Sequence, residues 1–170
     1  DATGITYKAI QRGNNRLVSL KIYRSAVMRD VDYATRLVSE LKKVSKIKHP
    51  NIKRVYAVGK AEGRTYVAME WIDGKSLHYL LEQRGKIPPM EALAVIFTTT
   101  KALQNAWEEA EVTHGDLRPS NIVIDQETGQ PKISGFGLVS KTNENILNIT
   151  SSGQLAPFYI APEQVLSERS

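Results

Sequence analysis

Hydrophobic and polar residues alternate along Gly4 to Ile10 (G-I-T-Y-K-A-I) and again along Leu17 to Tyr23 (L-V-S-L-K-I-Y), with the turn-forming R-G-N-N-R between them. A period of two marks strands, because successive side chains leave a strand on opposite faces, so the pair predicts a hairpin. The period then changes. Val31, Ala34, Leu37, Val38, Leu41, Val44 and Ile47 recur at helical spacing and predict an amphipathic helix to about Lys48. Asp30 is its expected N-cap, Asp32 lies in the first turn, and His49-Pro50 stops it. Glu40 adjoins the apolar stripe. Two strands are expected at Ile52 to Val58 and Thr65 to Met69, joined by a turn at Glu62-Gly63, and Glu70 to Gly74 reads as a connector. Ser76 caps a short helix to Gln83. Pro88-Pro89 opens a longer helix, since proline is tolerated in a first turn, with Leu93, Ile96, Phe97, Thr100, Leu103 and Trp107 as its expected buried face. Two further strands follow in V-T-H-G-D-L-R-P-S-N-I-V-I and P-K-I-S-G-F-G-L, between Val112 and Leu138. The polar stretch Lys141 to Gly153 is expected to be an exposed loop.

Composition narrows the class. A chain of 170 residues with 41% hydrophobic and 24% charged residues suffices for an ordinary globular core. The absence of Cys removes disulfides, thiolate metal sites and Cys nucleophiles together, and fits a reducing, cytoplasmic setting. No apolar run reaches the length of a membrane span, and no signal peptide pattern opens the chain. The net charge of +5 is spread along the chain, with only small knots at Lys42-Lys43 and Lys46-Lys48, which describes a solvated surface rather than a nucleic-acid stripe.

Several motifs in register add a family. V-S-L-K (Val18 to Lys21), Glu40, H-P-N-I, M-E-W-I-D-G-K-S-L, H-G-D-L-R-P-S-N and A-P-E (Ala161 to Glu163) stand in one order, and together they resemble the Ser/Thr protein kinases. The resemblance implies an α+β, bilobal fold: an antiparallel-sheet N-lobe with one helix (residues 1–69), a hinge (70–74), and the first, mostly helical part of a C-lobe (75–170). It implies ATP as cofactor, with Lys21 on the α- and β-phosphates and Glu40 as its ion-pair anchor. Asp116 would accept the proton of the attacking hydroxyl beside Arg118, and Asn121 would hold Mg²⁺. Gly4, Thr6, Ser19 and Val123 would line the nucleotide slot, Met69 would be its gatekeeper, and the backbone from Glu70 to Ile72 would bond adenine. Val44, Val55, His114 and Phe136 would stack as the spine of the active state.

The departures from the family point to its catalytic parts. Gly135 replaces the metal-binding Asp of D-F-G, and a glycine has no side chain with which to coordinate Mg²⁺. Thr6 and Ser19 add hydroxyls where apolar residues would sandwich adenine. Gly115 replaces the Arg of H-R-D, Arg118 stands in place of Lys, and Ala156 takes roughly the place of a Thr before A-P-E. Asp1 falls where the middle glycine of the nucleotide loop would be, and the helices after A-P-E lie beyond Ser170, so a fragment of a kinase domain is expected. The first reading is a catalytically impaired kinase, a pseudokinase acting as a regulatory or scaffold module on a protein partner. The second is a working Ser/Thr kinase with an unusual metal site and protein substrates. A third, a small-molecule kinase of the aminoglycoside or choline type, shares H-G-D but not H-P-N-I or A-P-E. Nucleic acid and membrane insertion are not expected. Thr142, Thr150, Ser151 and Ser152 read as plain loop polarity, His49 and His78 as surface or capping residues, and Trp71 and Trp107 as packing residues.

Overall fold

A computed structural model describes residues 3–136 and, beyond them, Tyr159 and Ala161. The expectations placed on Asp1, Lys141 to Gly153, Ala156 and most of A-P-E lie outside these residues.

Four strands form an antiparallel sheet in the order β1-β2-β4-β3: β1 (Gly4–Gln11), β2 (Arg16–Tyr23), β3 (Val55–Ala61) and β4 (Arg64–Glu70). The first hairpin pairs Gly4 with Tyr23 and Gln11 with Arg16. Gly4 is required there by close approach, since a Cβ on it would run into the carbonyl oxygen of Ile22. The β3–β4 turn places Glu62 and Gly63 at φ 49° and 74°, the double positive φ of a tight hairpin turn.

Helix α1 (Val31–Val44) packs on this sheet, with the Asp30 side chain accepting from the Tyr33 N–H as its cap. Its buried face is Tyr33, Leu37, Leu41 and Val44. Val31, expected in that stripe, is 73% exposed, and Tyr33 takes its place in the core. The helix also stops at Val44 rather than near Lys48. The N–H groups of Lys46 and Ile47 bond back three residues, to Lys43 and Val44, and this tightened turn ends the α geometry while keeping Ile47 buried. Strand β3 starts at Val55 rather than Ile52, because Ile52 leaves the sheet to form a lone bridge with Ile133.

The second unit has α2 (Leu77–Arg84), α3 (Pro89–Ala110) and a small antiparallel sheet, β5 (Gly74–Ser76), β6 (Ile122–Asp125) and β7 (Pro131–Ile133), in the order β5-β6-β7. The Ser76 hydroxyl caps α2 by accepting from the Tyr79 N–H. Glu70 closes β4 and Gly74 opens β5, so the expected connector shrinks to residues 71–73.

The buried face of α3 corrects the sequence reading. Val95, Thr99, Ala102 and Ala106 face inward, whereas Leu93, Ile96, Phe97 and Trp107 are between 57% and 63% exposed. Thr100 is exposed too, and only Leu103 of the expected set packs on the core. The helix carries two apolar stripes at the same period. The one with Ala102 and Ala106, each fully buried, allows closer approach to α1 and β7 than bulky side chains would. One core joins the two units, running from Leu37, Leu41 and Val44 through Ile52 and Val55 to Ala102, Val112, Ile133 and Phe136.

Candidate active site

Helix α3 ends where Glu111 adopts a left-handed φ of 52°, and the chain runs on in an extended path through buried Val112 to His114. The His114 ring is buried between two backbone partners. Nδ1 accepts from the Asp116 N–H at 3.2 Å, so Nε2 carries the proton and donates to the Ser134 carbonyl at 2.9 Å. Burial lowers its pKa, which fits the neutral ring these bonds require. The ring lies 4.6 Å from that of Phe136, and Val44, Val55 and Phe136 belong to one core cluster.

Gly115 turns the chain at φ 76° and brings out Asp116. Asn121 sits at the end of a short 3-10 turn, Pro119–Asn121. Its Nδ2 donates to the Asp116 carbonyl at 2.7 Å and to Asp116 Oδ2 at 2.9 Å. Arg118 Nε lies 3.1 Å from the same Oδ2, but its N–H is not aimed at the oxygen, so the contact is one of charge rather than a directed hydrogen bond. Asp116 is thereby held in one orientation. Ser134 fastens the next strand to this loop through its N–H and its hydroxyl, both donated to the Asn121 carbonyl, at 2.8 Å and 3.1 Å.

Gly135 follows at φ 89°, and a Cβ placed on it would meet Cγ, Oδ1 and Nδ2 of Asn121 at 3.0, 3.1 and 3.2 Å. The Asn121 amide thus fills the space beside the glycine. The Asn121 amide, the Asp116 carboxylate and the Ser134 hydroxyl surround this turn, and the described residues contain no group of three His, Cys, Asp or Glu side chains fit to hold a metal.

Lys21 lies on β2, opposite Thr6 of β1 and Val67 of β4. Burial brings its pKa down to about 8, against a smaller opposing pull from the Asp116 carboxylate. Its Nζ is 5.4 Å from the Tyr23 ring centre. The Glu40 carboxylate, expected to anchor Lys21, pairs instead with Lys43 Nζ, one turn along α1, at 2.9 Å. Ser19, two residues before Lys21, is buried opposite Met69. Ile72 is buried next to Trp71, whose ring carries Lys8 Nζ at 4.6 Å from its centre. Glu70 is gripped from behind: its N–H donates to the Arg54 carbonyl at 2.8 Å, its carboxylate accepts from the Arg54 N–H at 3.2 Å, and Lys132 Nζ pairs with it. Val123 lies on β6 opposite Ser76 and Lys132, half-buried.

The sequence reading missed one residue of this cleft. Lys53 Nζ donates to Ser19 Oγ at 3.1 Å. Its pKa is also brought down to about 8 by burial, against the opposing Glu70 carboxylate and with a smaller push from Lys21. No local signal marked it, since Lys53 lies before β3 begins at Val55 and its partner Ser19 is 34 positions away.

The comparisons agree with this geometry. Residues 2–170 match the protein kinase domain family. The chain is 32% identical over 168 residues to the serine/threonine-protein kinase PknA of Mycobacterium tuberculosis, covering 96% of this chain and 38% of that protein. It is 29% identical over 150 residues to the serine/threonine-protein kinase PrkC of Bacillus subtilis, covering 88% of this chain and 23% of that protein. The crystal structure of the M. tuberculosis PknI kinase domain superposes with a TM-score of 0.80 at 23% identity, over 100% of this chain and 61% of that one, and supports the fold. The chain belongs to the protein kinase family, and these curated relatives are serine/threonine kinases. It spans well under half the length of these curated relatives. Among the described residues no helix is long and apolar enough to cross a membrane.

Proposed function

We propose that this chain is the nucleotide-binding part of a protein kinase domain whose phosphate transfer is impaired, and that it serves a regulatory or scaffold role toward a protein partner in the cytoplasm. Residues 1–69, 70–74 and 75–170 are its N-lobe, hinge and partial C-lobe in this reading. The observation that carries it is Gly135. The position expected to hold Mg²⁺ has no side chain, and the Asn121 amide occupies the adjoining space. Lys21, Ser19, Met69 and the backbone from Glu70 to Ile72 form the nucleotide wall. Asp116, Arg118 and Asn121 form the facing one, with Gly4, Thr6 and Val123 at its borders, while Glu40 pairs with Lys43 rather than with Lys21.

A second reading, an active Ser/Thr kinase acting on protein hydroxyls, draws on the held orientation of Asp116 and on the His114–Phe136 contact beside the core that contains Val44 and Val55. Phosphoryl transfer depends on positioning and on offsetting phosphate charge. The positioning residues survive in this chain, and the metal-borne part of the charge is what Gly135 removes. The test is ATP binding together with phosphate incorporation by the full-length protein. Binding with no incorporation above that of Asp116→Asn is expected, and robust incorporation lost in Asp116→Asn would overturn the impaired reading.

A further inference from the structure

We propose that Lys53 is a second cationic ligand of the cleft and that, with Lys21, it holds the polyphosphate of a nucleotide without a divalent metal. The inference rests on the nucleotide-binding reading above and deepens it. Ser19 and Lys21 are alternate residues of β2, so their side chains leave the strand on one face, roughly 7 Å apart along it. Lys53 reaches that face from the segment before β3, and its Nζ bonds Ser19 Oγ at 3.1 Å. A second ammonium therefore stands on the wall that carries Lys21.

An ammonium has three donors, and the Ser19 bond engages one of them. Two partly dehydrated like charges side by side are unfavourable, and an anion between them relieves both the repulsion and the lost hydration. Glu70, the carboxylate that opposes the shift of Lys53, is already engaged by Lys132 and by the Arg54 N–H. Across the cleft, Asp116 is held by Arg118 and Asn121. The cleft that lacks a carboxylate at residue 135 thus gathers two cations on its opposite wall. Such a wall takes phosphate oxygens directly, whereas a metal-mediated site needs acidic residues to hold the ion first.

The test is calorimetric binding of ATP, ADP and inorganic tripolyphosphate to the full-length protein, in a chelator and in Mg²⁺, for the parent, Lys53→Met and Lys53→Arg. The parent is expected to bind ATP in chelator within about threefold of its Kd in Mg²⁺. Lys53→Met is expected to weaken the chelator Kd at least tenfold with no loss of thermal stability, and Lys53→Arg, which keeps the charge, to stay within about threefold. Strict Mg²⁺ dependence in the parent overturns the inference while nucleotide binding stands. So does an unchanged Kd in Lys53→Met, or an equal loss in both variants, which would mark Lys53 as structural only. Tripolyphosphate binding as tight as ATP supports the two-lysine site and overturns the nucleotide as its ligand. No binding in any arm overturns both readings.

Discussion

Replacing Gly135 by alanine isolates the conformation on which the functional reading turns. At φ 89° an L-residue pays the left-handed penalty, about 1–2 kcal/mol. The new methyl group would also sit 3.0 Å from Asn121 Cγ and 3.1 Å from Oδ1, so the amide must shift by a few tenths of an ångström. That shift strains the 2.9 Å bond from Asn121 Nδ2 to Asp116 Oδ2, worth about 1 kcal/mol. Against these terms, alanine restricts the unfolded chain and returns about 0.4–1 kcal/mol. The net expectation is a loss of about 1–3 kcal/mol. At about 2–4 °C per kcal/mol for a domain of this size, melting falls by about 2–12 °C in the full-length protein. Asn121→Ala in the same background should recover the steric part, giving a coupling of about 1 kcal/mol between the two sites. Gly135→Asp should cost less in backbone strain, since aspartate tolerates left-handed φ better than alanine. A Gly135→Ala melting point within 1 °C of the parent would refute this account of the turn.

The pH dependence has a definite sign. The pKa values of Lys21 and Lys53 fall from 10.5 to about 8 in the folded chain, so between these values the unfolded chain binds more protons and stability rises with pH. The ceiling is about 3 kcal/mol per lysine. Tyr23, raised by burial, reverses the trend above about pH 10, because it ionises in the unfolded chain first. Melting temperature should therefore climb from pH 8 toward pH 10, less steeply in Lys53→Met, and a steady decline over that range would contradict the lysine burial. Ala102→Leu should destabilise by about 1–3 kcal/mol through overpacking against α1 and β7, whereas Phe97→Ser on the outer face of α3 should change stability by less than about 0.5 kcal/mol; chemical denaturation of both variants checks the orientation of the helix. Asp30→Ala should cost about 1 kcal/mol through loss of the bond to the Tyr33 N–H, read by the same denaturation curves.

How much of this was legible beforehand depends on how local the signal was. The first hairpin, the Asp30 and Ser76 caps and the Glu62-Gly63 turn rest on neighbouring residues, and each appears in the structure close to where the pattern placed it. The two faces of α3 share one period, so nothing local to the helix distinguishes them; the choice is made by α1 and β7, which accept Ala102 and Ala106 at short range. The end of α1 was misplaced for a related reason, since Ile47 is buried after the helix has stopped and so continues its apolar rhythm. In the site, His114, Asp116 and Asn121 were legible because they lie within eight positions of one loop, and the structure joins them by direct bonds. Lys53 was not, because its role comes from Ser19, a residue 34 positions away on another strand.

Single-turnover transfer from labelled ATP by the full-length protein, in Mg²⁺, tests the central claim most directly. The account predicts incorporation no more than a few times that of Asp116→Asn, because the Gly135 turn holds no carboxylate to bind the ion. Incorporation a thousandfold above Asp116→Asn would contradict it and identify a working kinase.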